Sequence, residues 1–65
     1  MNDISTLLKL RLDAGMTQAE LSRRSGVNTR QIRSIERGEI KIENVTLANA
    51  AALASVFGIH AEDLL

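Results

Sequence analysis

Cysteine is absent from the 65 residues of the chain, and so is proline. Without thiols there is no disulfide and no thiolate metal site. Histidine occurs once, at His60, and a single imidazole cannot make a zinc site alone. No metal and no other cofactor is expected. His60 reads as a surface or capping residue, since a pH switch would need a partner that the sequence does not show. No apolar run approaches the roughly 20 residues of a membrane span. No charged segment leads into an apolar stretch, so no signal peptide is expected. These absences point to a cytoplasmic protein with neither a membrane nor a small-molecule partner. The length bounds the chain at one domain, residues 1–65. Such a domain buries only about 60% of the surface its unfolded chain exposes, so its stability is marginal. Catalysis is not expected: there is one histidine, no cysteine and no paired carboxylates, and little room for a pocket of about 300 Å³.

A surplus of charge is lacking too, because eight Lys and Arg balance eight Asp and Glu. Their distribution is uneven. Lys9, Arg11, Arg23, Arg24, Arg30, Arg33 and Arg37 occupy a span whose acids are Asp13, Glu20 and Glu36. The remainder sets Lys41 against Asp3, Glu39, Glu43, Glu62 and Asp63. A local basic patch sets a local potential whatever the total is, so the first span is a candidate nucleic-acid surface. An ordinary mixed surface is the plain alternative.

The absence of proline and of β-branched clusters favours helices over strands. Gly15, Gly26, Gly38 and Gly58 each follow a segment with helical apolar spacing, where a left-handed residue closes a helix. The first helix is expected from about Asp3 to Ala14, with Leu7, Leu10 and Ala14 inward. Thr17-Gln-Ala-Glu20 reads as a capping box that opens a second helix, about 18–24. Asn28-Thr-Arg-Gln31 repeats the logic and opens a third, about 28–37, with Ile32 and Ile35 inward. Glu39 to Val45 alternates apolar with polar residues, which predicts an extended connector. Thr46 then caps a fourth helix from Leu47 to Phe57, with Leu47, Ala50, Ala51, Ala54 and Phe57 on one face. A last turn, Ala61 to Leu65, folds Leu64 and Leu65 back on the core.

Two short capped helices separated by Ser25-Gly26-Val27 form the informative feature. A helix-turn-helix needs a tight turn between helices near 90–120° apart, and glycine supplies the positive φ such a turn demands. Leu21, Val27, Ile32 and Ile35 would hold the two helices together, with small Ser22 at the crossing. The outer face of the third helix would then carry Thr29, Arg30, Arg33, Ser34 and Arg37. In that geometry the second helix of the motif meets base edges and the first crosses the backbone.

Thr17-Gln-Ala-Glu-Leu21, Ser25-Gly-Val27, Ile35-Glu-Arg-Gly38, Leu53-Ala54 and Phe57-Gly-Ile59 resemble the Cro/C1-type (XRE) family of phage and bacterial repressors. The resemblance covers nearly the whole chain. It implies an all-α, compact five-helix lambda-repressor-like domain that binds double-stranded DNA in the major groove. It also implies a homodimer on a palindromic site, and a bacterial or phage origin. Asn28, Thr29, Arg30 and Ser34 match positions that face bases or the adjacent backbone, and Arg33 is in reach of a base edge or a phosphate. Arg30 is the candidate for a bidentate contact to guanine. Gln18 matches a position that grips a phosphate, and Arg37 is expected at the DNA backbone. Phosphate contacts place the protein without reading sequence. Arg11 and Glu36 match an ion pair that links the first helix to the third. Arg11 is either held near the DNA backbone by Glu36 or serves as a structural bridge.

The sequence departs from the family in two places. Val45 stands where the connector usually has proline, and Glu39 and Glu43 surround Lys41, which argues against extra phosphate contacts there. Ile4, Leu8 and Leu12 add a second apolar stripe to the first helix. Either the last turn covers it through Leu64 or Leu65, or it is a patch for self-association. Two functions therefore compete: a sequence-specific transcriptional regulator, by its resemblance a repressor, and a protein-interaction module such as an antitoxin or anti-repressor that keeps the fold.

Overall fold

A computed structural model describes residues 5–65. Its elements are α1 (Thr6–Asp13), α2 (Gln18–Ser25), α3 (Thr29–Glu36), a 3₁₀ turn (Ile42–Asn44), α4 (Leu47–Val56) and a second 3₁₀ turn (Ala61–Leu64). The described residues contain no strand, so the domain is all-helical. The expected five helices become four α-helices and two single turns, because Ala61–Leu64 is too short to close an α-helical turn and continue. No helix among the described residues is long and apolar enough to cross a membrane.

Each α-helix opens on a side-chain cap. Ser5 Oγ accepts from Leu8 N–H at 3.3 Å, which starts α1 at Thr6; Asp3, its expected start, lies outside the described residues. A capping residue has non-helical backbone angles, so the helix cannot run through it. Thr17 Oγ1 accepts from Glu20 N–H at 3.0 Å and Asn28 Oδ1 from Gln31 N–H at 2.7 Å. The reciprocal halves of both expected boxes are missing. Glu20 turns instead to Arg24 at 2.7 Å and Arg23 at 3.5 Å, and Gln31 turns to Asn49. Thr46 Oγ1 caps α4 through Asn49 N–H at 3.2 Å.

The core is built on Leu7, Leu21, Ile32 and Leu53, one from each helix, joined by Val27, Ile35, Val45, Ala50, Ala54 and Leu64. Burying such aliphatic side chains contributes about 1.5–3 kcal/mol each. Several expected core positions lie elsewhere. Ala14 caps the C-terminus of α1 and is exposed. On α4 the buried stripe is Ala50, Leu53 and Ala54. At about 100° per residue, Ala51 and Leu47 fall on its edges, and both are exposed, Leu47 at 78%. Of the last two residues, Leu64 is buried and Leu65 is not.

The connector is not extended. Asn44 N–H bonds to Lys41 C=O at 2.9 Å and Val45 N–H to Ile42 C=O at 3.1 Å, winding one 3₁₀ turn. Side chains three apart eclipse in such a turn. Ile42 and Val45 therefore both face the core, as a period-two strand would not allow.

Between α2 and α3 the chain turns at Gly26, with φ at 79°. Gly26 N–H bonds to Ser22 C=O at 2.8 Å. Ser22 Oγ donates to Val27 C=O at 2.6 Å, and Ser25 Oγ accepts from Val27 N–H at 3.1 Å. The turn thus satisfies its own polar groups while Val27 is buried between the helices. The small residue expected at position 22 serves as a hydrogen-bonded clasp.

Candidate nucleic-acid interface

The apolar spacing of α3 fixes what it shows to solvent. Ile32 and Ile35 are buried, which turns Arg30 and Arg33 outward. Both arginines are exposed, and neither has an ion-pair partner among the described residues. Thr29 and Ser34 are half-buried at the edges of that face. Asn28 is exposed, but its Oδ1 is engaged in capping, so its Nδ2 is the group left for a ligand. Arg37, the C-cap of α3, is exposed and lies 3.7 Å from Glu39. Exposed pairs of this kind contribute little and yield readily to a stronger partner.

Behind this face lies a charged network. Arg11 Nε meets Glu36 Oε2 at 2.6 Å, and Arg11 Nη2 meets Oε1 at 3.0 Å. Arg11 Nη1 donates to Met16 C=O at 2.8 Å. The side chains of Arg11 and Glu36 are only 12% and 5% exposed. Hydrogen bonding to Glu36, aided by its charge, holds the Arg11 guanidinium protonated beyond its ordinary range against the opposing effect of burial. All three guanidinium nitrogens of Arg11 are engaged inside the protein. This arrangement favours the structural bridge for Arg11 over a contact to the DNA backbone.

Gln18 joins the same carboxylate: its Nε2 donates to Glu36 Oε1 at 3.0 Å. Sequence reasoning missed this bond. Nothing in a single sequence distinguishes a glutamine that faces solvent from one that reaches a helix 18 residues away. The consequence is geometric. The first residue of α2 is oriented by the last residue of α3, while α2 presents its free N-terminal amides beside it.

The second stripe of α1 resolves only in part. Leu8 is half-buried and Leu12 is 59% exposed; Ile4 lies outside the described residues. Larger exposure occurs at Leu47 and Leu65, on the rim of an open groove of about 400 Å³ lined also by Ile42, Val45, Ala50 and Ala61. The chain is therefore not too short to form a concavity, contrary to the expectation from length. What that groove offers is aliphatic carbon with the carboxylates of Glu43 and Glu62 beside it.

Comparison with curated proteins and with solved structures returns no significant match. The family model described as helix-turn-helix does match, over residues 7–64, from the first core leucine to the last. That span takes in α1, the capped pair α2 and α3, α4 and the closing turn. The chain is therefore a member of the Cro/C1-type (XRE) helix-turn-helix family, a family of DNA-binding transcription regulators.

Proposed function

We propose that the protein binds double-stranded DNA sequence-specifically, with α3 in the major groove, and represses transcription by occupying its site as a homodimer. The observation that carries this reading is the outer face of α3. Arg30 and Arg33 stand exposed and unpaired among the described residues, on a helix whose opposite face is locked into the core. Arg30 reads guanine through a bidentate contact, and Arg33, Thr29, Ser34 and the Asn28 amide reach neighbouring base edges or the adjacent backbone. Gln18 and Arg37 contact phosphates, together with the N-terminal amides of α2.

Selection of bound duplexes from a random pool tests the proposal directly. A palindromic consensus with half-sites about one helical turn apart is expected, at roughly 34 Å. Binding should weaken with salt, with log K falling at about 0.9 per phosphate contacted for each unit of log salt. Arg30→Ala should relax the preference at one base position and cost about 1–3 kcal/mol there, while Arg37→Ala weakens all sequences alike. Failure to enrich any sequence would overturn the reading.

The apolar groove beside Leu47 and Leu65 favours a second reading, a protein-interaction module with the same fold. That reading predicts a partner protein but no salt-sensitive binding to duplex.

A further inference from the structure

Gln31 has no part in the contacts assigned to α3, yet its side chain is held in place. It is half-buried on the flank of α3 that meets α4. Asn49 Nδ2 donates to Gln31 Oε1 at 3.0 Å, the one side-chain hydrogen bond between these helices among the described residues. Both backbones are fixed as well, Gln31 N–H by the Asn28 cap and Asn49 N–H by the Thr46 cap. Each residue is the third of its helix.

The other end of the Gln31 amide is free. Its Nε2 makes no hydrogen bond with the described residues. No buried side-chain nitrogen or oxygen among them lacks a partner, so Nε2 must reach solvent. With its oxygen engaged inward, the amide presents only donors outward. Phosphate oxygens are acceptors, so the match is of the right sign. Turning both amides over would keep their mutual bond but would set Oε1 against the phosphate. At about 100° per residue, Gln31 lies a quarter-turn or so from both inward Ile32 and outward Arg30. A helix lying in a groove turns such a flank toward the backbone wall and not toward the base edges.

We propose that Gln31 is a phosphate-contacting residue of α3 and that Asn49, which itself touches no DNA, is its positioning residue on α4. The proposal rests on the DNA-binding reading. α4 thereby contributes to the interface through a single side-chain hydrogen bond.

The test is a double-mutant cycle in DNA affinity, measured by fluorescence anisotropy on the duplex that the wild type selects. Gln31→Ala and Asn49→Ala should each weaken binding roughly three- to tenfold, the range of one hydrogen bond. The double variant should lose no more than either single one, and the selected consensus should stay the same. A purely structural Asn49 would instead give losses that add. Asn49→Asp keeps the size of the side chain and suits a first helical turn, so it serves if alanine fails to fold. An aspartate only accepts, so it draws Nε2 inward and turns Oε1 to the phosphate. Its loss should exceed that measured in a Gln31→Ala background, which controls for the added charge. Wild-type affinity in folded Gln31→Ala, or additive losses, overturns the assignment. If the wild type selects no duplex, the DNA-binding reading has failed instead, and the assignment with it.

Discussion

Replacing Glu36 with alanine removes three hydrogen bonds at once: two from Arg11, at 2.6 and 3.0 Å, and one from Gln18 at 3.0 Å. Arg11 keeps its bond to Met16 C=O at 2.8 Å. It becomes a cation that is 12% exposed and has lost its counter-charge. Breaking a buried pair by removing one partner costs about 3–5 kcal/mol. The retained carbonyl contact and the residual exposure put this site at the lower end, about 3 kcal/mol. A domain of this size has roughly 3–10 kcal/mol in total, so the loss takes a large share of it. At roughly 4–8 °C per kcal/mol, the melting temperature should fall by roughly 12–24 °C. Thermal unfolding followed by circular dichroism at 222 nm reads this directly. Replacing both partners with methionine should recover most of the loss, because an apolar pair of similar volume is close to neutral. A Glu36→Ala protein that melts with the wild type would refute the reasoning.

Leu53→Ala, at a fully buried position, should cost about 3–5 kcal/mol in chemical denaturation, whereas Leu47→Ala, at 78% exposure, should stay within about 0.5 kcal/mol. Gly26→Ala should cost about 1–2 kcal/mol through backbone strain alone, since φ is 79° and an added Cβ would meet nothing within 4 Å; a loss several times larger in urea titration would mean the turn packs more tightly than described. The raised Arg11 pKa has a definite sign. Stability from a raised basic group is fully present below its unfolded pKa and is lost only as pH rises through the higher folded value. Both values lie far into alkali, so raising the pH to about 9 should leave the Arg11 contribution unchanged in thermal melts.

The sequence made the helix starts legible because capping is local. Thr17, Asn28 and Thr46 each act within three residues, and each caps the helix expected of it. The four glycines are legible for the same reason, and all have positive φ. What could not be read depends on which of several available partners or faces a side chain takes. Glu20 and Gln31 have the right spacing to close their boxes, but an arginine one turn away and an amide on another helix compete for them. The connector is ambiguous in sequence because Ile40 and Ile42 alternate like a strand, while Ile42 and Val45 are also spaced like a 3₁₀ turn, and burial of Val45 decides between them. Ala51 and Leu47 fit a helical stripe by spacing, but only the neighbouring helices fix where that stripe is centred.

The balanced total charge hides how the acids are used. Between Thr29 and Arg37 the one acid is Glu36, and it is buried against Arg11. The pair withdraws one charge of each sign from the surface, so the surplus of the basic span is unchanged, but the outer face of α3 is left with no carboxylate. Glu20, the other acid of the motif, lies against Arg23 and Arg24 on α2. The unpaired arginines of the motif are therefore those of α3. The same carboxylate that joins α1, α2 and α3 also removes the one negative charge that would oppose a phosphate at that face. Stability and surface potential are here two consequences of a single buried side chain. A neutral chain can in this way present a basic helix without an excess of basic residues.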